Sequence, residues 1–168
     1  MKRIKIFILS LIILVSCNKN TENDNDLNSN ICQGDVYLYS QNDVDSFSSE
    51  NCTEITGSLI IADYGDNEID ITNLDALISL TKVGNSISIG ANPLLEQING
   101  LNNIISIGSD LVIDSNESLI NFNSFNSLTE VYGIYFVGND NLIEVNGFNN
   151  LRATGSSISF VQVNGLIS

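Results

Sequence analysis

The constraint that narrows this 168-residue chain most is a repeat. From Leu77 to Gly165 the sequence can be written in register as four successive copies. They are LISLTKVGNSISIGANPLLEQING, LNNIISIGSDLVIDSNESLINFNS, FNSLTEVYGIYFVGNDNLIEVNG and the shorter FNNLRATGSSISFVQVNG. The residues that open them, Leu77, Leu101, Phe125 and Phe148, are separated by 24, 24 and 23 positions. A fixed period in the twenties is the mark of a solenoid, in which each repeat forms one coil and buries its apolar side only against its neighbours.

Apolar residues recur at fixed offsets within the repeats. Leu80, Val83, Ile87, Ile89, Leu95 and Ile98 are followed by Ile104, Ile107, Leu111, Ile113, Leu119 and Phe122. The third copy offers Leu128, Val131, Tyr135, Val137, Leu142 and Val145. The alternating pairs 87/89, 111/113, 135/137 and 158/160 predict a short strand in each rung, because a period of two places both members on one face. Upstream stands a glycine (Gly84, Gly108, Gly133 one residue late, Gly155). The opposite corner ends in Asn-Gly or Asn-Ser at 99–100, 123–124, 146–147 and 164–165, dipeptides that suit turns of positive φ. Stacking predicts an amide ladder of Asn99, Asn123, Asn146 and Asn164. One rung of about six inward side chains gains roughly 9–18 kcal/mol from burial. Ordering its backbone costs roughly 1–2 kcal/mol per residue, so rungs are stable only when stacked.

Before the repeats the chain has three parts. Lys2, Arg3 and Lys5 precede an apolar run from Ile6 to Val15, shorter than the roughly 20 residues that span a bilayer. The run ends in Leu14-Val15-Ser16-Cys17 and resembles the signal and lipobox of bacterial lipoproteins, which implies cleavage before Cys17 and lipidation of Cys17. Residues 1–17 are thus expected to be a lipoprotein signal peptide. Residues 18–30, rich in Asn and Asp and nearly without apolar side chains, are expected to be a flexible tether. Asn18 and the acidic tether resemble outer-membrane and surface-export features of such lipoproteins.

Residues 31–168 are expected to form one domain. Gly34 to Leu38 matches the glycine-strand unit, and Gln41 to Ser49 reads as a short polar helix or loop with Val44 and Phe47 buried. Cys52 to Ile61 is a further rung, and residues 62–76 make a long corner. The expected total is a capping rung and about five more. In an oxidising compartment Cys32 and Cys52 are expected to bridge and staple cap to rung.

Cys-x-x-Ile-x-Gly-x-Leu-x-Ile from Cys52 to Ile61, followed by the Leu-x-x-Val/Ile-Gly-x-x-Leu/Ile-x-Ile copies, resembles the receptor L-domain family. That family is related to leucine-rich repeats and occurs in receptor ectodomains, fungal wall proteins and bacterial surface lipoproteins. The resemblance covers roughly residues 31–168. It implies an all-β, right-handed parallel β-solenoid of about six rungs with about three strands per turn. No ligand motif of the receptors is matched. The last copy is cut short, so Val163, Leu166 and Ile167 are expected at an open end or folded back as a cap.

Composition narrows the function. There are 20 acidic and 6 basic residues and no histidine; without Lys2, Arg3 and Lys5 the balance is 20 against 3, a net charge of −17. Such a surface disfavours nucleic acid and anionic lipid headgroups. Without histidine there is no Ser-His or Cys-His nucleophile, and no phosphate-binding glycine loop occurs. Paired carboxylates leave a polysaccharide-degrading enzyme as a remote reading. Neither enzyme activity nor a cofactor is expected. Asp63, Asp66, Glu68 and Asp70 form a weak calcium candidate, with a solvated acidic corner as the plainer reading.

The outward strand column is expected to hold Tyr37, Ile60, Ser88, Val112, Phe136 and Ser159, flanked by Tyr39 and Ile134. Apolar members on a solvated sheet mark an interaction face, here Tyr37, Ile60, Val112, Ile134 and Phe136. β-propensity alone, or a cover supplied by residues 41–49, would also account for them. The expected function is non-catalytic: a lipid-anchored protein of the cell envelope, at the outer membrane and its external surface, binding protein or glycan as an adhesion module. The alternative is a structural envelope protein that self-associates through its open solenoid end.

Overall fold

The structure, a computed structural model, describes residues 30–62 and 70–166. The signal segment with Cys17, most of the tether, Asp63, Asp66, Glu68 and Ile167 lie outside the described residues. What is described is a parallel β-solenoid with a repeat of about 24 residues. Two sheets run its length. The narrower has six strands in the order Ile31–Cys32, Glu54–Ile55, Lys82–Val83, Ser106–Ile107, Glu130–Val131 and Ala153–Thr154. The broader also has six: Val36–Leu38, Leu59–Ala62, Ile87–Gly90, Asp110–Asp114, Gly133–Val137 and Ile158–Val161. All pairings are parallel. The third side is mostly turns, with one parallel pair of strands, Asn121–Phe122 and Glu144–Val145. Among the described residues the expectation of three strands per turn therefore holds in only two successive rungs.

The core is a column of aliphatic side chains between the sheets, and the second, third and fourth copies add Phe122, Phe125 and Phe148. Phe122 packs edge-on to Phe136 with ring centroids 5.0 Å apart, and stacks with Phe148 at 5.2 Å. The first rung is closed. Val36 and Leu38 are buried, and the helix Gln41–Phe47 packs beside them with Val44 and Phe47 inside. Ser40 caps that helix by accepting the Asp43 N–H at 3.1 Å, the role a serine at this position commonly takes. Gln41 fastens it to the next rung, its Oε1 accepting the backbone N–H groups of Thr72 and Asn73. Cys32 and Cys52 are disulfide-bonded with Cα atoms 5.7 Å apart, a separation suited to a bridge.

One expectation is corrected by the register. In the third copy the inward pair is Ile134 and Phe136, both fully buried, not Tyr135 and Val137. Val131 lies two positions past Thr129 in step with Ile107, but Gly133 already pairs with Asp110. The corner between the two strands is one residue shorter than in the copy before. Tyr132 replaces the glycine of this corner, so Gly133 is the first residue of the strand and not a late corner glycine. A slip of one residue exchanges the two faces of a strand.

The asparagine ladder is also not where the turn dipeptides placed it. Asn99, Asn123 and Asn146 are exposed, and Asn164 reaches Asp140 instead. The buried ladder is Asn92, Asn116 and Asn139. The Asn92 N–H donates to Asn116 Oδ1 at 3.2 Å, and the Asn116 N–H to Asn139 Oδ1 at 3.0 Å. Each Nδ2 also donates to a carbonyl of the preceding rung's broad-sheet strand: Asn92 to Ile61, Asn116 to Ile89, Asn139 to Ile113. The residue before each asparagine, Ala91, Ser115 or Gly138, has positive φ and turns the chain so that the amide points inward. A second, solvent-side ladder links Asn102, Asn126 and Asn149.

Candidate interaction surfaces

The outer face of the broad sheet carries one residue of each strand in a central row. The register aligns Tyr37, Ile60, Ser88, Val112, Tyr135 and Ser159. Of the five residues read as a binding face, the structure brings Tyr37, Ile60 and Val112 together here. It removes Ile134 and Phe136 to the core, and Tyr135 takes the place expected for Phe136. Four of the six positions are still apolar or aromatic. They reach the face because a parallel strand alternates its side chains, and β-branched and aromatic residues fill the pleat well.

Tyr37 is 45% exposed and leans on Tyr39, with ring centroids 5.8 Å apart. Its hydroxyl donates to Asp35 Oδ2 at 3.4 Å. The neighbouring Asp35 charge raises the Tyr37 pKa above the ordinary tyrosine value, and the hydrogen bond adds to this. Tyr37 is thus held as a neutral phenol, a donor beside a carboxylate. Asp35 is itself fixed, since its Oδ1 accepts the Ser58 N–H at 2.7 Å. Farther along, the Tyr135 ring lies back along its own strand, over Gly133. A Cβ at Gly133 would come within 2.7 Å of the Tyr135 ring and of Asp110 Oδ1. The helix Gln41–Phe47 does not cover this face; its packing is against the first strand of the broad sheet and residues 75–77.

At the corner between the sheets runs an open trough of about 450 Å³, bordered by Lys82, Ser106, Glu130, Tyr132 and Thr154. Its floor is the glycine column, and Gly108 sits so close to the Gly84 carbonyl oxygen that a methyl group has no room. Lys82 pairs with Glu54 across the narrow sheet at 3.6 Å. Tyr132 is the exception in this column and is 55% exposed. Reading one residue too many at this corner hid both Tyr132 and Tyr135 from the sequence pattern. The local signal was the missing residue itself, visible only as a 23-residue spacing.

Of the calcium candidate only Asp70 is described, and its Oδ1 accepts the Gln41 N–H at 2.8 Å, joining the cap helix to the second rung. Among the described residues no cluster of three or more Cys, Asp or Glu side chains is placed to hold a metal ion, and no helix is long and apolar enough to cross a membrane.

The far end of the solenoid differs from the near one. Ile158 and Phe160 point inward like Ile134 and Phe136, yet are 50% and 43% exposed, with Val161 and Leu166 exposed beside them. Of the residues expected at this end, Val163 is partly buried against the core and Leu166 is exposed, so no cap folds back within the described chain.

No protein-family model matches the chain, and neither the curated proteins nor the solved structures include one with significant similarity to it.

Proposed function

We propose that this protein is a non-catalytic binding module of the cell envelope, presenting a rigid solenoid face to a protein or glycan. The observation that carries the reading is the row Tyr37, Ile60, Val112 and Tyr135 across parallel strands whose backbones are all held by neighbours. Rigid aromatic side chains on a preordered sheet give contact area at low entropic cost. Tyr37 adds a phenol donor, and the sequence supplies no histidine-based nucleophile system.

The lipobox-like Leu14-Val15-Ser16-Cys17 supports a lipid anchor at Cys17 and a place at the outer membrane, and the Asn/Asp-rich tether supports exposure at the surface. The repeat pattern from Cys52 onward supports kinship with receptor L-domains. Strong net negative charge favours basic or cation-bridged ligands over nucleic acid.

The test is retention on immobilised glycans and envelope proteins by the chain and by a V112S/Y135S variant. Both substitutions lie on the outer face, so the circular dichroism spectrum should be unchanged while retention is lost. Equal retention by the variant would remove the sheet as the site. Protease treatment of intact cells tests the address: degradation supports surface display, and protection until the outer membrane is opened supports a periplasmic role.

A further inference from the structure

We propose that two copies of this chain join through their last rungs to form a closed, two-fold dimer. The strand Ile158–Val161 is the outermost of the broad sheet and Ala153–Thr154 the outermost of the narrow one. Each presents one edge whose backbone groups have no strand partner among the described residues. Beside the edge lie the core-type side chains Ile158 and Phe160, half uncovered, although their equivalents one rung earlier are fully buried. Solvent-exposed edges are commonly blunted by charge, proline, a bulge or a covering helix. None of these is present in the strand Ile158–Val161 or over it in the described structure.

Charge identifies the occupant. The chain carries 20 acidic residues, but none follows Glu144, and Arg152 is the sole charged side chain after it. A basic partner is drawn to the acidic rungs and finds no opposite charge at this end. A second copy meets an end whose only side-chain charge is its own Arg152, so like-charge repulsion is limited to one pair of guanidinium groups. The opposite end offers little apolar complement for head-to-tail growth, since Val36 and Leu38 are already buried there together with Val44 and Phe47 of the helix Gln41–Phe47. An end that fits only itself gives a closed pair and not a filament.

A two-fold axis through Ser159 pairs the two edge strands antiparallel. Ile158 then faces the second copy's Phe160 on the inner side, and both cores become continuous. Directly opposed Cα atoms in such a pair are about 4.5–5.5 Å apart, within reach of a disulfide at Ser159 on the outer side.

The experiment is sedimentation equilibrium of the chain and F160D, together with oxidative cross-linking of S159C, all in a Cys17→Ser background so that Cys17 does not contribute. The expected result is twice the protomer mass for the parent, the protomer mass for F160D with an unchanged circular dichroism spectrum, and a cross-linked dimer for S159C. Because Ser159 points outward, S159C reports even if F160D misfolds. A parent that stays monomeric at every concentration overturns the proposal. So does an open series of larger species, a dimer that survives in folded F160D, or a dimeric S159C that does not cross-link.

Discussion

The ring of Phe160 stacks on that of Phe136 with centroids 5.1 Å apart and 8° between their planes, and among the described residues only Phe136 has a second aromatic partner, Phe122 at 5.0 Å. The two side chains occupy equivalent places in consecutive rungs. They therefore compare the same contact inside the solenoid and at its end.

Phe136→Ala should cost about 3–5 kcal/mol, the usual range for emptying a buried aromatic site. Phe160→Ala should cost less than half as much, because part of its surface is already in water. Urea unfolding of the two variants, measured at a concentration where the parent is monomeric, checks the ratio.

Asn116→Ala removes a side chain that serves both neighbouring rungs. It leaves the Asn92 N–H and the Ile89 carbonyl buried without these partners. Each stranded group costs about 1–3 kcal/mol, so a loss above about 2 kcal/mol is expected. Asn126→Ala, in the solvent-side ladder, should cost under about 1 kcal/mol because water replaces the lost bonds. Similar losses for both would mean that burial of the inner column contributes little.

Reducing the bridge between Cys32 and Cys52, 20 residues apart, should lower stability by about 3 kcal/mol by loop-entropy reasoning. The C32S/C52S double variant isolates the effect. A fall of that size, with a slope that rises because the uncrosslinked unfolded chain exposes more surface, is the expected result; an unchanged unfolding midpoint would remove the loop-entropy account.

Asp35→Asn should lower the Tyr37 pKa toward the ordinary tyrosine value, since the raising charge is gone. The sign for stability follows. A pKa raised in the folded chain favours folding below the unfolded value, and the benefit fades as pH rises through the folded one. Tyr37 is exposed, so the readout is the titration itself, by carbon NMR of ring-labelled tyrosine. A Tyr37 titration unmoved by Asp35→Asn would remove the carboxylate as the cause.

The solenoid was legible in the sequence because the period, the apolar offsets and the corner glycines all imply the same coil. The buried pair Val44 and Phe47 and the bridge of Cys32 to Cys52 were legible for similar reasons: local pattern and partner coincide. The face of the third strand was not. In Ile134-Tyr135-Phe136-Val137 every residue is hydrophobic, so alternation gives no preference, and the hydrogen-bond register at the shortened corner decides. The ladder was missed because each copy holds several asparagines. Which one turns inward depends on the residue of positive φ before it, and at Ala91 and Ser115 side-chain type gives little sign of that.

The buried asparagines act as a keyway along the solenoid. Ile89 to Asn92, Ile113 to Asn116 and Phe136 to Asn139 are each three residues, although the rungs themselves differ in length. A residue gained or lost within that interval would pull an amide out of the column and break bonds to two rungs at once. At the Tyr132 corner the same loss was absorbed without disturbing the column. Length variation in this protein therefore has permitted and forbidden places, and an engineered insertion belongs at the corner before the broad sheet, not at the one after it.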